Sequence, residues 1–109
     1  MSGLLDSMYS ASVTGTKAQV SAVPVNIGAY HILNNAAAIS YVQCFYALAA
    51  DVTVGTTVPN VVIPLPASGG ATLNFEGGWL TRGPLTLAVT TTRTGSTTAT
   101  ADVVLWKAR

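Results

Sequence analysis

The sequence predicts an all-β protein, a β-sandwich or jelly roll of about seven to eight short antiparallel strands. Three observations carry that expectation. Short runs rich in Val, Ile, Leu, Thr and aromatic residues alternate in polarity. Gly, Pro, Asn and Ser clusters interrupt them about every ten residues. No segment after Lys17 requires a helix.

The elements follow in order. Met1 to Thr16 is Ser- and Gly-rich around Leu4, Leu5, Met8 and Tyr9, too sparsely apolar for a core element. It reads either as a frayed terminus or as an N-terminal arm (residues 1–16) that orders on a neighbouring subunit through those four side chains. The domain proper is expected over 17–109. Lys17 to Val25 alternates loosely. Pro24 cannot donate to a ladder, so this strand lies at an edge or ends there. Gly28 to Leu33 is a second strand, closed by a turn at Asn34-Asn35.

Ile39 to Leu48 is the strongest strand. Ile39, Tyr41, Gln43, Phe45 and Ala47 share one face, and Val42, Cys44, Tyr46 and Leu48 the other. Both faces are largely apolar, so one packs on the core and the other on a partner or a covering loop. Ala-rich flanks favour a helix here, but β-branched and aromatic content decides for strand. Asp51 to Pro59 is a loop, and Asn60 to Leu65 is a strand that Pro64 and Pro66 confine to an edge. Ala67 to Gly70 is a turn. Ala71 to Phe75 is a short strand that Glu76-Gly77-Gly78 breaks before Trp79 and Leu80. Leu85 to Thr92 alternates well, Arg93 to Ser96 is a hairpin turn with Gly95 at its positive-φ position, and Thr97 to Trp106 returns. Val104 and Trp106 fall on one face of that return; Val103, Leu105 and Lys107 fall on the other.

Charge narrows the function. Only 8% of the residues are charged, against roughly 25% in an ordinary soluble domain. Interface cores are depleted in charge because desolvating it is costly. The chain therefore reads as an assembly subunit whose surface neighbours cover. A net charge of +1 and the lack of a basic stripe argue against nucleic acid as a partner. No apolar run approaches a membrane span. The N-terminal residues have neither a basic region nor a long apolar stretch, so no signal peptide is expected.

Chemistry is sparse. There is one His, one Cys and four acids. A Cys44–His31–Asp51 trio can be assembled from residue types, but nothing in their spacing supports it. One His and one Cys cannot supply a zinc site. Asp51 lacks the acidic neighbours that calcium needs, and neither Gly-Gly pair has the context of a phosphate loop. No enzyme, cofactor or metal is expected. Cys44, in an apolar run, reads as a buried free thiol. Trp79 and Trp106 read as core or interface anchors, or as a sugar-binding platform. Arg82, on a Gly-bounded loop after Trp79, reads as a contact to a neighbour or a solvated charge.

Several runs resemble a group of small β-sandwich structural proteins of tailed bacteriophages. These are Asn34 to Tyr46, Val54 to Pro59, Ile63 to Gly69 and Phe75 to Thr92, within a stretch from about Gly28 to Trp106. The resemblance is one of pattern and supplies no catalytic residues. It implies a virion protein made in the host cytoplasm, most simply a head decoration (cement) protein bridging major capsid subunits as a trimer or dimer. A neck, tail or baseplate component is the alternative, and a carbohydrate-binding adhesion module is a further one. The interface candidates are Leu4, Leu5, Met8, Tyr9, Trp79 and Arg82.

Overall fold

The computed structural model of the chain describes residues 5–108, with side chains except at 5–7, 73–77 and 108. Eight strands form two four-stranded sheets. They are β1 (Leu5–Val13), β2 (Ala18–Ser21), β3 (Asn26–Asn34), β4 (Ser40–Phe45), β5 (Val61–Leu65), β6 (Gly69–Leu80), β7 (Leu85–Thr90) and β8 (Ala101–Ala108). A single 3-10 turn, Ala49–Asp51, lies between β4 and β5. Sheet 1 has the order β1-β8-β3-β6 and sheet 2 the order β2-β7-β4-β5.

The pairing is that of a long hairpin rolled up on itself. β1 pairs with β8, β2 with β7, β3 with β6 and β4 with β5, all antiparallel. Contacts of β3 with β8 and of β4 with β7 close each sheet. Only β4 and β5 are consecutive within one sheet; every other connection crosses the sandwich. This is jelly-roll topology, and the expected all-β sandwich is the observed fold.

Alternation builds the core. Val13, Ile27, Tyr30, Ile32, Val103 and Leu105 face inward from sheet 1. Val20, Val42, Cys44, Leu65, Leu85, Leu87 and Val89 meet them from sheet 2. Each large apolar side chain buried this way contributes about 1.5–3 kcal/mol relative to exposure. Polar groups close the ends. Asn34 donates from Nδ2 to the carbonyls of Ala38 (3.0 Å) and Pro66 (3.1 Å), and its Oδ1 accepts from the Ala36 amide at 3.0 Å. That side chain fixes the crossing from β3 to β4, at the turn expected there. Thr81 does the same at the opposite end. Its Oγ1 accepts from the Val25 amide at 2.9 Å and donates to Gly83 O at 2.9 Å.

Three expectations change. The segment read as an N-terminal arm, residues 1–16, is a strand from Leu5 to Val13, paired along β8 in the same sheet as β3. The ordered fold therefore begins at least twelve positions before Lys17. The physical reason is alternation hidden by small residues: Tyr9, Ala11 and Val13 point at the core, and Met8, Ser10 and Ser12 point out. Next, Glu76-Gly77-Gly78 does not end a strand. β6 continues to Leu80, with Asn74 opposite Ala29 and Trp79 opposite Ile27, so an irregular stretch absorbs the extra residues. Third, Arg93 to Ser96 turns the chain as expected, with Thr91 N donating to Thr97 O at 3.0 Å. The return does not pair with β7 beyond an isolated bridge, Thr90 to Thr98. The chain instead crosses over, and β8 joins sheet 1 between β1 and β3.

Candidate assembly surface

The two outer faces of the sandwich are treated very differently. On the central strands of sheet 2 the outward residues Gln43, Phe45, Thr86, Ala88 and Thr90 are all buried, while Gln19 and Pro64 on its edge strands are exposed. Residues 46–60 fold over one half of that face. Phe45, Val52 and Ala88 form a small second core there, flanked by Ala47 and Val54. Thr86 Oγ1 donates to Ala47 O at 2.7 Å, and the Lys17 ammonium donates to the Val52 carbonyl. The 91–100 segment covers the other half. Gln43 Nε2 donates to Gly95 O at 2.9 Å and Thr90 Oγ1 at 2.7 Å, and the Arg93 guanidinium lies 5.7 Å from the Tyr41 ring centroid. The second apolar face of the 39–48 run thus meets a covering loop of its own chain.

Sheet 1 has no such cover among the described residues. Its register sets three rows across the outer face: Met8–Trp106–Ala29, then Ser10–Val104–His31–Thr72, then Ser12–Asp102–Leu33. Met8 is 60% exposed and Leu33 36% exposed, while Val104 and Trp106 are half-buried. His31 Nδ1 and Thr72 Oγ1 share a hydrogen bond of 2.7 Å. At the end of the third row, Asn35 Nδ2 donates to Asp102 Oδ2 at 3.4 Å. Asp102 is the single formal charge in these rows. The face mixes apolar side chains (Met8, Trp106, Ala29, Val104 and Leu33) with hydroxyls, His31 and one carboxylate, a make-up with a low desolvation cost on contact.

The expected interface residues do not converge there. Leu4 and the Leu5 side chain lie outside the described residues. Met8 belongs to the open face. Tyr9 points the other way, half-buried against the core, and burial raises its hydroxyl pKa above the ordinary value. Trp79 also packs on the core, and its indole Nε1 donates to Tyr46 Oη at 2.8 Å. Arg82 is exposed on the loop between β6 and β7. Sequence reasoning missed that Met8 stands opposite Trp106 and that Val104 stands opposite His31 on the same face. The alternation of β8 was visible; its strand partners were not.

The imagined trio is taken apart by the fold. Cys44 is fully buried in the core, and burial pushes its thiol up to about 12. His31 stands on the outer face of sheet 1, and Asp51 lies on the exposed 3-10 turn over sheet 2. Among the described residues no three His, Cys, Asp or Glu side chains come together to hold a metal. Among the described residues no helix is long and apolar enough to cross a membrane. A cleft of about 320 Å³ opens at one end of the sandwich, between Asn35, Ile39, Thr91, Thr100 and Asp102. It lacks converging titratable groups. No family model, curated protein or solved structure matches the chain.

Proposed function

We propose that this chain is a virion structural protein without enzymatic activity, a capsid decoration (cement) protein that docks on major capsid subunits through the outer face of sheet 1. The observation that carries the reading is the contrast between the two outer faces. The chain covers the central strands of one with its own loops and leaves the other uncovered among the described residues, with Asp102 the single formal charge in its three rows. The low charge of the whole chain supports it, as does the resemblance to phage structural proteins. The jelly roll, shared by viral capsid and lectin domains, supports it by analogy alone.

The mechanism is mechanical. A subunit that binds only the assembled shell stabilises that shell by mass action. Repeated modest contacts add through multivalency. The test has two parts. Quantitative mass spectrometry of purified virions of the encoding phage gives the copy number; hundreds of copies, in simple ratio to the capsid protein, are expected. Trp106→Glu with Val104→Lys is expected to abolish binding to shells lacking the protein, with circular dichroism unchanged. A handful to a few dozen copies moves the protein to the neck, tail or baseplate. Absence from the particle, or full binding by the double variant, overturns the reading.

Trp106 beside the His31–Thr72 pair also favours a second reading, a carbohydrate platform. A glycan-dependent change in Trp fluorescence supports that reading; a glycan array without binding removes it.

A further inference from the structure

We infer that two copies of this chain pair antiparallel through β1, forming a two-fold dimer in which both copies of sheet 1 merge into one continuous sheet. The inference rests on the strand edges and does not depend on the proposed function.

The sandwich has four edge strands: β1 and β6 in sheet 1, β2 and β5 in sheet 2. Three carry features that discourage pairing. β2 is only four residues long. β5 contains exposed Pro64, which has no N–H to offer. β6 is out of register between Asn74 and Trp79 and holds Gly78 at φ +83°. β1 differs. It runs nine residues, Leu5–Val13, with neither Pro nor Gly; Asp6 is its single charge, its one register shift falls between Leu5 and Ser7, and Ser7 to Val13 pair regularly with β8. Its side away from β8 is a row of backbone donors and acceptors without a strand partner among the described residues.

The core also reaches this edge unfinished. Tyr9 and Ala11 face inward opposite Leu105 and Val103, yet both stay half-buried. A strand added beyond β1 would complete their cover.

A second copy fits that place. Antiparallel pairing about a two-fold axis normal to the sheet keeps each side chain on its own face. Tyr9, Ala11 and Val13 of both copies stay on the core side, and Met8, Ser10 and Ser12 stay outside. Met8 to Val13 carries no charge, so no like charges meet. A net charge of +1 offers little repulsion between copies. The arrangement is isologous and closes after two subunits, which removes the exposed edge without filament growth.

The test combines mass and distance. Light scattering is expected to give about 22 kDa for the native chain, twice the 11.1 kDa monomer, and the monomer mass for Ser10→Lys with Ser12→Lys at unchanged circular dichroism. Spin labels on Ser10→Cys and Thr72→Cys locate the interface, since buried Cys44 does not take the label. With strands about 4.8 Å apart, Ser10 labels are expected within about 15 Å of each other. Thr72 labels, three strands further out on each side, are expected near 34 Å. A native chain that stays monomeric at every concentration overturns the inference. So does a dimer with Thr72 labels close together and Ser10 labels far apart.

Discussion

Trp79 and Tyr46 tie the two sheets together at one end of the sandwich. The Trp79 indole, on β6 of sheet 1, donates to the Tyr46 hydroxyl, just beyond β4 of sheet 2, at 2.8 Å. Both rings pack against the core. The bond closes this end together with the Thr81 bonds to Val25 and Gly83. Tyr46→Phe keeps the ring and removes the acceptor. The expected loss is about 1 kcal/mol, read by urea denaturation, with a shift in Trp emission at unchanged fold.

Gly78 lies against Asn26. Its φ is +83°, and a Cβ built on it would sit 2.0 Å from Asn26 Oδ1. Gly78→Ala meets a strained backbone and a steric clash together. The expected cost is about 1–3 kcal/mol, measured as a lower melting temperature. Gly83→Ala is the comparison, because a Cβ there comes no nearer than 3.1 Å, to the Tyr46 carbonyl. A smaller loss is expected from it.

Gln43 holds the 91–100 segment over sheet 2 through the Gly95 carbonyl. Gln43→Leu removes that donor while keeping a buried side chain of similar size. The segment is then expected to open more often, with tryptic cleavage after Arg93 rising several-fold under native conditions. Cleavage at Arg82, on a loop that Gln43 does not touch, serves as the internal reference and is expected to stay the same.

Cys44 gives a pH signature. Burial pushes its thiol from 9.0 to about 12 in the folded chain. Between those values the unfolded chain loses the thiol proton and the folded chain keeps it. The unfolded state then binds fewer protons, so stability falls as pH rises. Cys44→Ala is expected to flatten this decline between pH 9 and 12 at a cavity cost of its own. Maleimide labelling of native protein at pH 8 is expected to be negligible until denaturant is added.

Most of the strands were legible because side-chain alternation is local. The inward sets Val42 and Cys44, Leu85, Leu87 and Val89, and Val103 and Leu105 all follow from a two-residue period. Asn34 marked its turn, and Pro64 marked an edge. β1 was not legible, since Ser7, Ser10, Ser12 and Ala11 blur the contrast between its faces. β6 was read as broken because glycine weakens a strand interior, and the sequence does not show whether such a weak point ends the strand or bulges it.

The candidate surface was half legible. Val104 and Trp106 were placed on one face of β8 from the sequence. Their neighbours Met8, His31 and Leu33 come from strands distant in the chain, and backbone ladders carry no residue identity across such distances. By itself the sequence determined a sparsely charged all-β chain, its strand periodicity, its buried thiol and the proline-marked edge, because each depends on residues within one turn or strand. Only the tertiary structure decided that β8 lies between β1 and β3, that loops cover the central strands of sheet 2, and that Trp106 stands on the open face. Those choices depend on which distant strands bury their apolar faces together.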